Sequence, residues 1–376
     1  MMFIWLFVQG KAAVYFQRAC GAIFGLALAC SWGSAWAQSN AIPRAESDST
    51  TAIGRRGAPP TRAIFSLHTP ESAVQLSGAL RQTGNDEIAL GLHWYYFADS
   101  SRSMTFERVF APENIHRFQR SQQQTPSFGL GAATYWFVAF AQARDAAPPS
   151  HSADALWMLE VGYPPLDSVE LFTQNASGAW SSTLVGDMLP FGARPVKTRN
   201  FAFPLVFPDT LPRALVLRIA TQSSMLAPVT LRSATRYAEE ATKSDIAYGI
   251  FFGMLVALIL YNGFLFLSLR SFYYVYYTVY ISAGALYLAV LNGFASRYIW
   301  HNSPALINYL NVGLLGALIL CLSLFARDFL RLRHYAPILG KALSVMAAGG
   351  AALAIGSVNL PYQTSVRLAV ATNFVA

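Results

Sequence analysis

The chain has 376 residues, of which 54% are apolar and only 12% are charged, a composition too hydrophobic for an ordinary soluble protein. Its net charge of +8 is unevenly placed: residues 38–243 hold 18 basic and 17 acidic side chains, whereas residues 244–376 hold seven basic and two acidic ones. Basic residues between hydrophobic segments are typical of membrane orientation rather than phosphate binding. The composition therefore indicates a membrane protein and argues against nucleic acid as a partner.

The three cysteines all lie in hydrophobic segments, at Cys20, Cys30 and Cys321. The part of the chain between these segments has no cysteine. A disulfide, a thiolate nucleophile and a zinc-thiolate site are thus excluded there.

Residues 1–37 have the organisation of a secretory signal peptide. Lys11 and Arg18 precede an apolar run over residues 19–30, and Ala35-Trp36-Ala37 supplies a small-x-small cleavage site. We predict cleavage after Ala37. Two alternatives remain: an uncleaved anchor, because residues 1–10 are also apolar, and a lipoprotein modified at Cys30, which is disfavoured by Ala27 at the position where a Leu is usual. In each case the next domain lies outside the cytoplasm.

Residues 38–62 are rich in Ser, Ala, Pro and Arg without periodicity and are predicted to be a flexible lead-in. From 63 to 236 the pattern changes to short alternating runs, such as Arg213–Ile219 and Val169–Gln174, separated by turn-forming residues. Such runs without helical periodicity predict an antiparallel β-sandwich.

Four tryptophans lie in this predicted sandwich: Trp94, Trp136, Trp157 and Trp180. Aromatic faces can stack on sugar rings, but a Trp inside an apolar strand is more often a core residue, which is our interpretation of Trp136 and Trp157. Trp180 follows a turn and is expected to be the more exposed. We therefore take Trp180, Trp94 and the nearby Asp187 as candidate ligand-binding residues.

The exported part contains none of the catalytic motifs GxSxG, HExxH or Walker A. Its histidines, at positions 68, 93, 116 and 151, are scattered without the spacing of metal ligands. We expect no metal, no cofactor and no catalytic residue. Glycosidase carboxylates are poorly visible in a sequence, so a glycan-processing enzyme using Glu160, Glu170 or Asp187 stays as an alternative.

Hydrophobic spans follow a short linker at 237–245, at residues 246–269, 272–294, 304–326 and 342–360, with a fifth beginning at 366. A helix does not end stably within hydrocarbon, because its last carbonyls would lack partners. Since the sequence stops about ten residues into the fifth span, we expect it to be a fragment of a longer protein.

The loops predict the orientation of the spans. Basic residues on the predicted cytoplasmic side are Arg270, Arg327, Arg331, Arg333 and Lys341, against Arg297 and Arg367 on the other side. This satisfies the positive-inside rule. A row of tyrosines from Tyr273 to Tyr280 is interpreted as an interfacial aromatic belt.

The asparagines at 262, 308 and 311 are interpreted as packing contacts between helices rather than as an ion path. This interpretation disfavours a transporter.

Two long stretches resemble one family. Residues 247–343, with AYGIFFGMLVALILYNGFLFLSLRSFYYVYYTVY, HNSPALINYLN and LFARDFLRLRHYAPILGKAL, look like the bacterial seven-transmembrane receptors with diverse intracellular signalling modules. Residues 92–232, with LHWYYFADSSRSMTFERVF, TYWFVAF, ALWMLEVGYPPLDSVELF and GAWSSTLVGDMLPFGARP, resemble the second type of extracellular sensory domain of that family.

The resemblance implies a periplasmic all-β jelly-roll sandwich, similar to carbohydrate-binding modules, followed by an α-helical bundle of seven spans in the bacterial inner membrane. It further implies a sensor that relays a signal to a cytoplasmic histidine kinase or diguanylate cyclase. The expected partners are a small extracytoplasmic ligand, with carbohydrate as one class, the lipid bilayer, the cytoplasmic module and a second copy of the chain. The family offers no ligand residues that can be transferred to this sequence.

Overall fold

A computed structural model describes residues 51–52, 61–67, 73–76, 86–129, 133–143, 156–174, 178–207, 210–222, 224–330, 332 and 336–359. The predicted signal peptide, the predicted fifth span, and Arg331, Arg333 and Arg367 lie outside these residues. The described residues form a β-sandwich that leads into a bundle of long helices, in agreement with the fold class predicted from the sequence.

The strands are β1 Thr51–Ala52, β2 Ala73–Leu76, β3 Glu87–Ala89, β4 Tyr95–Asp99, β5 Gln119–Arg120, β6 Ser127–Gly129, β7 Thr134–Ala143, β8 Leu156–Val161, β9 Ser168–Gln174, β10 Trp180–Val185, β11 Phe201–Val206, β12 Arg213–Ala220, β13 Met225–Leu226 and β14 Val229–Ser233. The larger sheet has the order β1-β10-β9-β12-β7-β4-β5, with β2 added parallel to β7. The smaller sheet has the order β11-β8-β14-β3, and β13 pairs with β6. The chain crosses repeatedly between the two main sheets, as it does in jelly rolls.

The main core lies between the two sheets. Every second residue of β12, namely Leu215, Leu217 and Ile219, faces Leu159 of β8 and Phe203 of β11 across this layer. The alternation seen in the sequence of β12 therefore corresponds to the two faces of one strand.

The outer face of the larger sheet is also apolar and is covered by three short helices, α1 Thr61–Phe65, α2 Phe106–Val109 and α3 Pro112–Ile115. Phe106 stacks on Phe172 of β9 with ring centroids 4.6 Å apart and packs edge-on against Trp180 of β10 at 5.0 Å. We call this second core the outer aromatic cluster. It comprises Ile64, Phe97, Phe106, Val109, Phe110, Phe118, Trp136, Val138, Phe140, Phe172, Trp180, Ala214 and Val216.

Part of the segment expected to be a flexible lead-in has regular structure. Thr51 and Ala52 pair with Ser182 and Ser181 at the edge of the larger sheet, and Thr61 begins α1. The physical reason is that Ile64 of α1 is fully buried in the outer aromatic cluster, which fixes this part of the chain on the sheet.

The remaining helices are α4 Ala234–Leu269, α5 Phe272–Leu291, α6 Phe294–Tyr298, α7 Pro304–Phe329 and α8 Pro337–Asn359. Among the described residues, four of them (α4, α5, α7 and α8) are long and apolar enough to cross a membrane. They correspond to the four complete spans of the sequence analysis. The second helix is shorter than predicted, because Gly293 adopts a left-handed conformation and separates α5 from α6.

Candidate functional site

The four tryptophans of the sandwich are all buried. Trp94 and Trp157 lie in the core between the sheets, and Trp136 and Trp180 lie in the outer aromatic cluster. The core interpretation of Trp136 and Trp157 agrees with this placement.

The expectation that Trp180 is exposed is wrong, since only 7% of it is accessible. Its indole N–H donates to the hydroxyl of Thr61, 3.1 Å away, and its ring contacts Phe106. Helices α1 and α2, whose packing on this face was not predicted, cover the ring. Trp94 is completely buried, so neither ring offers a face to a ligand in this conformation.

The three carboxylates considered for glycan hydrolysis do not converge on one site. Glu160 pairs with Arg232 on the smaller sheet, and Glu170 pairs with Arg218 on the larger sheet at 3.5 Å. Asp187 is buried in the loop after β10. A glycosidase holds its two carboxyl groups within about 10 Å on either side of the scissile bond, an arrangement for which this placement gives no support. Within the described part of the chain, no group of three or more His, Cys, Asp or Glu is placed to hold a metal ion.

The sandwich meets the helices at a contact region that we call the junction. Strand β14 ends at Ser233 and α4 begins at Ala234 without an intervening loop. The hydroxyl of Ser233 caps the helix by accepting from the N–H of Arg236 at 3.2 Å and donates to the carboxylate of Asp86. Residues 237–245, predicted as a linker, are helical and continuous with the first span.

A network of polar side chains lies in the smaller sheet beside the base of α4. Arg232 of β14 bridges Glu87 of β3, at 2.6 Å, and Glu160 of β8. Next to this network, the hydroxyls of Tyr237 on α4 and Thr198 share a hydrogen bond of 2.9 Å. Tyr237 joins α4 to the sandwich through this bond and through its packing on Met158 of β8 and Ala202 of β11.

The loop between β10 and β11, residues 186–200, reaches the helix ends. The guanidinium of Arg199 donates to the hydroxyl of Ser244 on α4 at 2.8 Å and lies over the ring of Tyr248, 4.8 Å from its centroid. It also lies 5.7 Å from the ring centroid of Phe294 on α6. Arg199 thus contacts two helices from one position in the sandwich.

Gly293 permits this close approach. A Cβ atom at this position would lie 2.7 Å from the carbonyl oxygen of Arg199 and 3.1 Å from Pro164, and its φ of +75° disfavours other residues. Nearby, the N–H of Phe191 donates to the carbonyl of His301 at 3.0 Å. The sandwich and the loops of the helix bundle are therefore in direct backbone contact.

Contacts within the helices complete the junction. Arg297 of α6 pairs with Asp245 of α4 at 2.8 Å, and the hydroxyl of Tyr248 donates to Asn292 after α5, also at 2.8 Å. Both partners on α4 lie within about one helical turn of Ser244, which Arg199 contacts. A change in the loop that holds Arg199 would therefore act on α4, α5 and α6 together.

Asp187 belongs to a buried group of charges beside this surface. The N–H of Asp187 donates to the carbonyl of Leu166 at 2.9 Å, which places Asp187 beside Asp167, and the carboxyl of Asp167 accepts from the N–H of Gln222 at 2.6 Å. Burial raises the pKa of Asp167 to about 6, against the opposing effect of the Gln222 bond. Burial and the neighbouring Asp167 raise the pKa of Asp187, and the Arg194 guanidinium partly opposes them.

Arg194 is itself largely buried and supports the loop. It donates to the carbonyls of Thr198 and Arg199, each at 2.9 Å, and lies between the rings of Phe191 and Phe201, whose centroids are 4.9 and 4.6 Å away. Burial lowers its pKa to about 10, although Asp187 opposes this effect. At neutral pH Arg194 remains a cation beside the two carboxyl groups.

The topology residues that the structure describes lie at the other end of the bundle. Arg270 follows α4, which extends about 54 Å from the sandwich over its 36 residues. Arg327 near the end of α7 contacts Ser344 near the start of α8, three residues after Lys341. The three basic residues are thus remote from the sandwich, as the predicted orientation requires.

Sequence reasoning selected Asp187 but missed Asp167, Arg194, Arg199 and Gly293. A buried acid in the turn Pro164-Pro165-Leu166-Asp167 and two arginines within one loop were visible signals. Their convergence was not visible, because it depends on the packing of two loops against helices that lie about 100 residues further along the chain.

Comparison with known families agrees with both halves of this architecture. The model of the family described as 7TMR-DISM extracellular 2 matches residues 91–233, and the model described as 7TM diverse intracellular signalling matches residues 244–376. No curated protein matches the chain. The two matches occur in the order of the sandwich and the helices, on either side of the junction. The chain therefore belongs to the seven-transmembrane receptors with diverse intracellular signalling modules and carries the second type of extracellular domain of that family.

Proposed function

We propose that this receptor is a sensor of the bacterial inner membrane that binds a small ligand in the periplasm and relays the signal to a cytoplasmic histidine kinase or diguanylate cyclase. In this proposal residues 1–37 are a signal peptide, 38–62 lead into the sensory sandwich at 63–236, and 237–245 connect it to the transmembrane region at 246–376. The chain itself performs no catalysis.

The observation that carries the proposal is the uninterrupted passage from β14 into α4 at Ser233. A helix that starts on a strand of the sensory domain has little freedom to absorb movement, so a shift of β14 is transmitted along α4. The contacts of Arg199 with α4 and α6 support the same coupling from a second direction.

A ligand drives such a change only if it binds two conformations with different affinity. For the ligand we propose a carbohydrate, because jelly-roll sandwiches are common carbohydrate-binding folds. The proposal does not rest on an exposed aromatic platform, since Trp94 and Trp180 are covered; stacking on Trp180 would require α1 and α2 to move from the outer aromatic cluster.

The coupling is tested by inserting Gly-Ser-Gly-Ser between Ser233 and Ala234 in the full chain, reconstituted in lipid nanodiscs. The probes are a panel of soluble mono- and oligosaccharides, and the readout is the distance between spin labels at positions 270 and 341. We expect a saccharide that binds to change this distance in the parent chain. The insertion variant should bind the same saccharide without the change.

The same insertion after Gly178, an exposed position where nothing lies within 4 Å of a Cβ, is the matched control and should leave the response intact. A far-end response that survives the insertion at Ser233 would rule out direct coupling through α4. Absence of binding across the whole panel would instead rule out the carbohydrate class and leave the coupling to be measured with other solutes.

A further inference from the structure

We propose that Asp167 and Asp187 form a proton-binding site through which the acidity outside the membrane controls how firmly the sandwich holds the helix ends. The proton would be an input separate from the ligand of the sandwich. The inference therefore stands or fails independently of the class of that ligand.

The geometry of the two carboxyl groups supports a shared proton. Asp167 is 1% accessible and Asp187 is 9% accessible, and main-chain hydrogen bonds from the N–H of Asp187 to the carbonyl of Leu166 (2.9 Å) and from the N–H of Met188 to the carbonyl of Asp167 (3.4 Å) hold the two residues side by side. Two ionised carboxyls that lie side by side in a buried place repel each other, so the pair favours binding a proton. One oxygen of each carboxyl has no hydrogen-bond partner among the described residues, which leaves the pair poorly prepared to hold two negative charges.

The charges around the pair balance only one carboxylate. Among the residues that the structure describes, Arg194 is the cation that acts on Asp187, and the N–H of Gln222 donates to Asp167 at 2.6 Å. From the helix side, the small crevice at Asp187 is lined by uncharged residues, including Gly293, Ser296 and Asn311. With one proton bound, the two carboxyls and Arg194 are neutral together; without it, one buried negative charge is uncompensated.

This site is attached directly to the contacts of the junction. Asp187 begins the loop in which Phe191 donates to His301 and Arg199 donates to Ser244. Asp167 follows Pro164, which packs on Gly293. The buried charge is relieved if the two carboxyls separate or if water enters. Either change requires the loop that holds Asp167 or the loop that holds Asp187 to move, and both loops contact the helix ends.

The direction of the effect follows from the raised pKa values. A solvated Asp has a pKa of about 4, whereas burial raises the pKa of Asp167 to about 6. The packed junction therefore binds the proton more tightly than an opened one, and acidification favours it. Its advantage is complete below about pH 4, falls as the pH rises through about 6, where Asp167 ionises, and is fully lost only when Asp187, whose pKa is also raised, ionises as well.

The experiment uses the full chain in nanodiscs without any added ligand. The three native cysteines are replaced by Ala, and spin labels are attached to cysteines at positions 192 and 302, next to the hydrogen bond between Phe191 and His301. Both positions are exposed, and Gly192 has nothing within 4 Å of its Cβ position. Dipolar broadening of the spectrum is followed from pH 5 to pH 8.

We expect broadening at pH 5 that decreases reversibly as the pH rises through about 6, where Asp167 ionises. Asp187→Asn and Asp167→Asn, which keep the shape of the side chain and remove one of the two ionisable groups, should each retain the broadened spectrum up to pH 8. Glu113→Gln, an exposed carboxyl on α3, should leave the midpoint unchanged. Tryptophan fluorescence identifies a variant that has failed to fold, and the other Asn variant then serves.

His301 requires a separate control, because it carries an imidazole, lies beside the reporter and packs on the ring of Phe191 with the ring centroids 6.0 Å apart. His301→Gln should keep the transition. Loss of the transition in His301→Gln, its persistence in both Asn variants, a spectrum independent of pH, or broadening that increases with pH would each overturn the proposal.

Discussion

The outer aromatic cluster and the junction are the two places where elements outside the sandwich core are fixed to it, and they are built in opposite ways. The cluster holds α1, α2 and α3 on the larger sheet by packed rings, such as the stacked pair of Phe106 and Phe172. The junction holds α4 and α6 by directional contacts of Arg199, Ser233 and Phe191.

This difference has a consequence for mechanism. Burial of apolar area is strong and tolerates no rearrangement without loss, whereas a few hydrogen bonds and a cation over a ring can be exchanged for water at a modest cost. We therefore expect mutations in the cluster to change stability and mutations in the junction to change how the sandwich and the helices are coupled.

The largest expected effect is that of Phe106→Ala in the cluster. Phe106 is 5% accessible and contacts four other rings, so its removal leaves a cavity that costs about 3–5 kcal/mol. Urea unfolding of the sandwich, followed by tryptophan fluorescence in nanodiscs, measures this loss. Val206→Ala on the edge strand β11, where the side chain is 53% exposed, is the control and should cost less than about 0.5 kcal/mol. Equal losses for the two variants would contradict the burial of this face.

Gly293→Ala should have the next largest effect. We expect it to weaken the contacts at the junction and to leave the stability of the sandwich unchanged. The added methyl would lie 2.7 Å from the carbonyl of Arg199 at a positive φ, so the loop must move away at a cost of about 1–3 kcal/mol. We expect faster hydrogen exchange in residues 186–200 with unchanged urea unfolding of the sandwich. Gly263→Ala within α4 has open space at its Cβ and is the matched control. Equal exchange rates in the two variants would show that the approach at Gly293 is not tight.

Arg199→Ala tests whether the contact between the Arg199 guanidinium and the ring of Tyr248 stabilises the junction. Loss of the bond to Ser244 and of the position over Tyr248 should weaken the junction by about 1–3 kcal/mol. A double-mutant cycle with Tyr248→Leu, read from hydrogen exchange of the same loop, should give a coupling of about 1 kcal/mol. Arg199→Lys should retain little of this coupling energy, because an ammonium does not stack on a ring and bond to Ser244 at the same time. Strict additivity of Arg199→Ala and Tyr248→Leu would exclude the ring contact.

The sequence predicted the parts of this molecule that depend on local pattern. The alternation in Arg213–Ile219 corresponds to β12, and the uncharged runs correspond to α4, α5, α7 and α8. Both signals arise because one strand face or one helix surface must be apolar, a requirement that is written within a few consecutive residues.

Prediction from alternating residues failed where both faces of a strand are buried. Val216 alternates with Leu215 and Leu217 in the sequence, and the structure buries it in the outer aromatic cluster on the opposite face of β12. Trp180 was expected to be exposed because it follows a turn. The neighbouring sequence does not indicate that α1 and α2 cover it. The junction was invisible for a related reason, since Arg199 and Gly293 meet only after the two parts of the chain have folded against each other.

Thr61→Val should have the smallest effect, and it tests a polar contact placed inside the apolar region. Its hydroxyl accepts the indole N–H of Trp180 at 3.1 Å and the side-chain amide of Gln174 at 3.3 Å, and a valine of nearly the same shape removes both bonds at a cost of about 1–2 kcal/mol. Urea unfolding should therefore shift by far less than in Phe106→Ala, while hydrogen exchange in residues 186–200 stays unchanged. Thr61→Ser keeps the hydroxyl and is the control. If Thr61→Val instead destabilised the sandwich as much as Phe106→Ala, α1 would be held by the hydrogen bonds of this hydroxyl, and the contrast between a packed cluster and a bonded junction would not hold.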